Sequence, residues 1–231
     1  MKILEIDSCS NVATAALVED DCLIAQFSLN NKTTHSTKLL PQIEYMMKNA
    51  EAQFADIDLF AVTVGPGSFT GERIGVATTK ALAHATNKPI VGVSALMAMA
   101  YNIKYTDYLI CPIMDARREQ VYTATFKWEG DKLVTVKEDR AMALDELLNE
   151  LDEDVIFFGD GVPVFKEKIA EKLDNKAHFA PANLMHINGG GVAEAAKSEY
   201  KKGNACDYAS LVPTYLRLSQ AEREYNDRNR N

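Results

Sequence analysis

The residues best suited to chemistry in this 231-residue sequence are two aspartates and one glycine-rich turn. Asp7 and Asp115 each close a stretch that reads as a strand, and a carboxylate in such a place can stand beside a metal ion and the phosphates of a nucleotide. A hairpin that holds phosphate normally contains a glycine, because its backbone must approach the ligand. Neither Asp7-Ser8-Cys9-Ser10-Asn11 nor Asp115-Ala116-Arg117-Arg118-Glu119 has one. The sequence therefore points to a degenerate nucleotide site, with Asp7, Asp115, Arg117, Arg118, Gly159, Asp160 and Gly161 as its candidates. Arg117 and Arg118 can reach a phosphate, but beside Glu119 they read better as a surface ion-pair cluster.

The glycine turn runs Gly65-Pro66-Gly67-Ser68-Phe69-Thr70-Gly71, with Gly75 one helical turn further on. Free backbone N–H groups in a strand-to-helix turn can hold an anion. No Gly-Lys-Ser/Thr closes the segment and its glycines miss the G-x-G-x-x-G spacing, so it is neither a P-loop nor a dinucleotide fingerprint. The favoured alternative is packing: Gly65 and Gly67 form the turn, while Gly71 and Gly75 share a helix face that another helix can approach closely. Gly189-Gly190-Gly191 serves equally well as a helix entry or as a close seat for a nucleotide base. The four histidines include no i, i+4 pair, and the four cysteines are scattered with no Cys-x-x-Cys, so no metal site or disulfide framework is expected. No Gly-x-Ser-x-Gly elbow is present, and Ser68 reads as a helix cap.

A run of elements that occurs twice along the chain must position these residues. Residues 2–7, 12–18 and 22–29 read as three meandering strands. Apolar residues at 39, 40, 43, 46, 47 and 50 have helical spacing, with Ser36 as a cap. Residues 59–64 form a continuous apolar run suited to a strand buried on both faces, followed by a helix from Ser68, a strand over 90–93 and a helix over 94–101. The second half repeats the order: strands over 109–114, 121–128 and 133–137, a helix over 143–151, a strand over 155–158 and a helix over 162–173. Two copies of β-β-β-α-β-α define an α/β fold of two tandem actin/sugar-kinase/Hsp70-like (ribonuclease H-like) lobes. The expected division is 1–103, 104–216 and a mobile tail over 217–231, where charge alternates with little apolar content.

A net charge of −8 opposes autonomous nucleic-acid binding, since phosphate affinity depends on clustered Lys and Arg. No apolar run approaches the roughly 20 residues of a membrane helix. Asp7 comes too early to leave room for a signal-peptide core, so a cytoplasmic location is expected.

Three segments in register carry a family resemblance: Gly65–Gly71 with Arg73-Ile74-Gly75, Asp115–Arg118 with Val121-Tyr122, and Pro213-Thr214-Tyr215-Leu216-Arg217 with Ala221-Glu222-Arg223. Together with His35-Ser36 and Leu39-Leu40-Pro41 they make the chain resemble the TsaB (YeaZ) family over nearly its whole length. Glu72 departs from the pattern, which has an apolar residue there. The resemblance implies a scaffold that pairs with TsaD, a larger catalytic paralogue. With the ATPase TsaE, the pair supports transfer of threonylcarbamoyl to the adenosine beside a tRNA anticodon. It also implies that the paralogue's His-x-x-x-His metal pair falls here on Ala95 and Met99, neither of which suits a hard metal.

On this reading the partner surface lies on the helices over 35–50 and 68–86, both richer in apolar or small residues than one core-facing stripe requires. Its expected members are His35, Leu39, Ile43, Met46, Met47, Gly71, Arg73, Ile74, Gly75 and Thr78, meeting their counterparts in a four-helix contact. The same face is expected to form a homodimer when the paralogue is absent. The alternative is that all these residues serve the internal core. tRNA is reached only through the complex, and no cofactor is expected beyond weak nucleotide binding at the partner interface. The rival function is an autonomous ATPase or small-molecule kinase of the same fold.

Overall fold

A computed structural model describes residues 1–30 and 35–217; the expected tail after Arg217, with Ala221-Glu222-Arg223, lies outside the described residues. The first half runs β1 (Lys2–Asp7), β2 (Val12–Glu19), β3 (Cys22–Asn30), α1 (His35–Asn49), β4 (Leu59–Thr63), α2 (Phe69–Thr86), β5 (Ile90–Val93) and α3 (Ala95–Ala100). The second runs β6 (Leu109–Asp115), β7 (Gln120–Glu129), β8 (Lys132–Ala143), α4 (Leu144–Asn149), β9 (Val155–Phe158), α5 (Val162–Leu173), β10 (Ala177–Phe179) and α6 (Gly189–Lys201). The sheets have the same topology: β3-β2-β1-β4-β5 in one, and β8-β7-β6-β9-β10 in the other. In each, three antiparallel strands are extended by two parallel ones. This duplicated sheet is the actin/sugar-kinase/Hsp70-like architecture. Strand β10 was not foreseen, because three half-buried residues carry no alternation to read. Strand β8 continues well past residue 137, pairing with β7 through register shifts.

Three apolar cores separate the layers. One lies between the first sheet and α1 with α2, and includes Leu4, Ile6, Leu39, Ile43, Met46, Met47, Phe60 and Val62. A second lies between the second sheet and α4 with α5. The third and largest lies between the two sheets and draws on both halves of the chain, Ile3, Leu59 and Val91 meeting Ile110, Met114, Phe126 and Phe158. The period of a strand explains the division on β1: Leu4 and Ile6 face α1 and α2, which leaves Ile3, Glu5 and Asp7 on the side between the sheets. Two helices cross over to fill the central layer. α3, from the first half, packs on β6 and β7, and α6, from the second half, packs on β1, β2, β4 and β5. Gly189 permits that second contact, and Gly191 the close approach of α6 to α3. A Cβ at Gly189 would lie 2.2 Å from Ala16 Cβ, and one at Gly191 would lie 2.4 Å from the Ala98 carbonyl oxygen. The glycine triplet is thus used for helix packing and capping: Gly191 N–H donates to Asn188 Oδ1 at 2.9 Å and Gly189 N–H to Gln26 Oε1 at 3.0 Å.

Among the described residues no helix is long and apolar enough to cross a membrane.

Candidate functional site

Between the lobes lies a cleft of about 580 Å³. Its first wall is the β1–β2 turn (Cys9, Ser10, Asn11) and the start of α2 (residues 67–70). Its second wall is Met114, Asp115, Ala116, Arg117, Tyr122, Asp160 and Val164, and Arg217 closes one side. Of the candidates read from the sequence, the structure brings Asp115, Arg117 and Asp160 together here.

Asp160 Oδ1 accepts from the Asp115 backbone N–H at 3.1 Å, and burial raises the Asp160 pKa. Asp115 accepts from the Arg117 N–H at 2.8 Å and from its guanidinium at 3.1 Å. The Asp115 side chain is mostly covered while that of Arg117 is exposed, so Arg117 makes its ion pair with Asp115, where the sequence pointed to a cluster with Glu119. Arg118 is exposed and does not line the cleft. Gly159 and Gly161 serve the fold: a Cβ at Gly159, where φ is +111°, would fall 2.1 Å from the Ile113 carbonyl oxygen, and one at Gly161 would fall 3.1 Å from it.

Asp7 does not reach the cleft. It is fully buried, its Oδ1 accepting from Thr63 Oγ1 at 2.5 Å and from the Cys9 N–H at 3.1 Å, while Oδ2 has no hydrogen-bond partner among the described residues. Burial raises its pKa, and the Thr63 hydrogen bond opposes that rise. The turn that covers it is locked against α2. Ser8 Oγ donates to the Gly71 carbonyl at 2.8 Å, and the Ser68 N–H donates to the Cys9 carbonyl at 2.7 Å.

The glycine turn is spent on that contact. A Cβ on Gly67 would fall 2.1 Å from the Cys9 carbonyl oxygen, one on Gly71 would fall 2.0 Å from that of Ser8, and one on Gly75 would fall 2.6 Å from Ser8 Oγ. Gly71 and Gly75 therefore admit the β1–β2 turn of their own lobe, not another helix. Three N–H groups of the turn are also occupied: Gly67 donates to Glu72, Ser68 to Cys9, and Gly71 to the capping Ser68 Oγ at 3.3 Å. Glu72 explains its departure from the family pattern by its place beneath this turn. It is 2% exposed, and burial pushes its pKa up to about 7 despite the Gly67 N–H.

The second lobe's turn is built differently. Arg117, Arg118 and Glu119 take φ of +64°, +56° and +56°, three successive left-handed residues where glycine is absent. Each costs about 1–2 kcal/mol relative to the right-handed region. The turn is held by Ala116 N–H to the Gln120 carbonyl at 3.0 Å, Leu144 N–H to the Glu119 carbonyl at 3.1 Å, and a hydrogen bond from Arg217 to the Ala116 carbonyl.

The residues expected at a partner surface divide in two. Leu39, Ile43, Met46 and Met47 are at most 5% exposed and fill the core under α1, so they are not available to a partner. The wide apolar arc of α1 arises because the helix packs on β2, β3 and α2 at once. His35 is half-buried, its Nε2 lying 2.9 Å from the Ser10 carbonyl oxygen. Arg73 is exposed, and Ile74 and Thr78 are partly so. The outward faces of α1 and α2 add Leu40, Tyr45, Ala77 and Ala81. Leu40 belongs to the apolar arc read from the sequence; Tyr45, Ala77 and Ala81 were missed because that reading ranked residues by apolarity, while the outer face mixes alanine with single large side chains. It also missed Ser10, Asn11, Thr70 and Tyr122 in the cleft; the likeness between the turns at 7–11 and 115–119 was the available signal.

Ala95 and Met99 lie in α3 within the central core, 0% and 2% exposed.

The fold and cleft define a protein of the duplicated actin/sugar-kinase class. The family described as TsaD, tRNA N6-adenosine threonylcarbamoyltransferase, matches residues 23–225. The tRNA threonylcarbamoyladenosine biosynthesis protein TsaB of Bacillus subtilis is 34% identical over 97% of this chain and 98% of its own length. That of Escherichia coli is 32% identical over 65% of each chain. The solved structure of YeaZ from Pseudomonas aeruginosa superposes with a TM-score of 0.78 at 20% identity, covering 93% of this chain and 99% of that one. The chain belongs to the TsaB family.

Proposed function

We propose that the chain acts in tRNA threonylcarbamoyladenosine biosynthesis as the non-catalytic partner of a TsaD-type paralogue, alongside a TsaE-type ATPase. One observation carries the non-catalytic reading. The positions that the resemblance assigns to the paralogue's metal-binding histidines hold Ala95 and Met99, both sealed in the central core. The burial of Asp7 supports it, since the first lobe offers the cleft no carboxylate from the end of β1. The protein works in the cytoplasm, meets tRNA through the complex, and holds at most a weakly bound nucleotide.

The partner face is the outer surface of α1 and α2, with Leu40, Tyr45, Arg73, Ile74, Ala77 and Thr78 at its centre. In the absence of the paralogue this face pairs with a second copy of the chain. Co-purification with the host's TsaD-type paralogue tests the assignment. Ala77→Glu should abolish capture while leaving the unfolding free energy within about 0.5 kcal/mol of the parent, as for other surface changes. Met47→Glu should unfold the chain, at a cost of about 3 kcal/mol or more for a buried unpaired charge. Undiminished capture by Ala77→Glu places the interface elsewhere.

A second reading, an autonomous ATPase or small-molecule kinase, draws on the cleft and on Asp115 and Asp160 within it. ATP turnover by the isolated chain, lost on Asp115→Ala, would favour it; the scaffold reading expects only background rates.

A further inference from the structure

Residues 211–217 do not belong to any helix or strand, yet each part of the segment is anchored to a different element. Leu211 is buried in the core under α2, and its carbonyl accepts from Lys80 Nζ at 2.9 Å. The Thr214 N–H donates to the Val64 carbonyl at 2.7 Å, just before the glycine turn. The segment crosses so close to that turn that a Cβ on Gly65 would lie 2.6 Å from the Thr214 carbonyl oxygen. Tyr215 then stacks on Phe69 of α2, centroids 4.4 Å apart and planes within 8°, and its hydroxyl accepts from Arg73 Nε at 2.8 Å. Leu216 packs against the central core. Finally Arg217 reaches the second lobe and donates to the carbonyl of Ala116, at the entrance of the left-handed turn and on the wall of the cleft.

We propose that residues 211–217 form a latch between the lobes, in which Tyr215 fixes the strap to the outer face of α2 and Arg217 clamps the strained 116–119 turn of the second lobe. Left-handed residues in series persist only where their surroundings over-determine them. The Arg217 hydrogen bond, charge-assisted and delivered from the opposite lobe, is one such determinant. The strap also joins the exposed Arg73–Tyr215 pair to the cleft, on one side through Phe69, which lies under the Tyr215 ring and lines the cleft, and on the other through Arg217. A change in the seating of Tyr215 is therefore passed to the cleft through two residues of chain. This arrangement holds for the isolated chain and does not depend on the partner reading above.

Hydrogen exchange read by mass spectrometry on the full-length chain tests it, comparing the parent with Arg217→Ala, Arg217→Lys and Tyr215→Ala. Exchange in residues 113–122 should accelerate about tenfold in Arg217→Ala, the loss expected when one charged hydrogen bond stops holding a local structure. Tyr215→Ala should accelerate the same peptide, Arg217→Lys should retain most of the protection, and residues 2–19 should be unchanged in all three. Parent-like exchange of 113–122 in Arg217→Ala overturns the latch. Uniform acceleration along the whole chain in Arg217→Ala, with Arg217→Lys no better, overturns it as well, because the residue would then serve only global stability.

Discussion

The two lobes share one topology and place an aspartate at the same point of it, yet Asp7 is sealed while Asp115 lines the cleft. The difference lies in what each neighbouring turn packs against. In the first lobe three glycines of the α2 segment let Ser8 and Cys9 sink onto the helix, and the aspartate is closed over beneath them. In the second lobe the equivalent turn stands up in a left-handed conformation without glycine, and its first carbonyl is held from the other lobe by Arg217. Duplicating a fold therefore does not duplicate its chemistry: one copy has turned its strand end into packing, and the other keeps a ligand-sized opening.

The sharpest way to break this comparison is to prevent the first turn from sinking. Gly71→Val puts atoms where the Ser8 carbonyl lies, with even the Cβ only 2.0 Å away, and should cost about 3 kcal/mol or more in thermal or urea unfolding. A near-neutral result would mean that the turn and α2 are not in close contact.

The next effect depends on pH. Glu72 has a folded-state pKa of about 7 against an ordinary value of 4.5, so the folded protein binds the extra proton between those limits. A carboxylate raised in this way lowers stability as pH climbs from about 4.5 to 7, and the loss is complete above that range. Glu72→Gln keeps an acceptor for the Gly67 N–H and removes the charge. It should be more stable than the parent at pH 8, by up to about 3 kcal/mol, with the advantage fading below pH 5. A pH-independent difference would show that Glu72 does not titrate as a buried group.

The smallest change sharpens the second half of the comparison. Arg118 is exposed at φ +56°, so Arg118→Gly should raise stability by about 1 kcal/mol by relieving the left-handed backbone. Destabilisation would indicate that the arginine side chain holds the turn.

Much of the architecture was legible from the order of apolar runs. Strand β4 reads as buried on both faces because Leu59 to Val62 are apolar without interruption, and all five residues of Leu59–Thr63 are buried. The depth of a side chain at a strand end was not legible. Asp7 and Asp115 look alike in sequence, and only the distance between Ser8 and Gly71 decides which is covered. The arc of α1 misled for a related reason: a helix wedged against two strands and another helix buries more than one stripe, so apolar width does not signal a second, external partner. Glu72 stood out in sequence only as an irregularity; its place under the glycine turn depends on a contact between residues five apart across a bend. The strap over 211–217 has no periodicity at all, and only the Pro213–Arg217 motif marked it.

The central claim is that this chain supports a reaction performed by another subunit. The direct measurement is threonylcarbamoyladenosine formed on unmodified tRNA in a reconstituted mixture of a TsaD-type paralogue and a TsaE-type ATPase, with and without this chain. The account predicts that modification requires the chain, that Asp7→Ala protein which remains folded still supports it, and that folded Ala77→Glu does not. Equal modification in the absence of the chain would contradict the account.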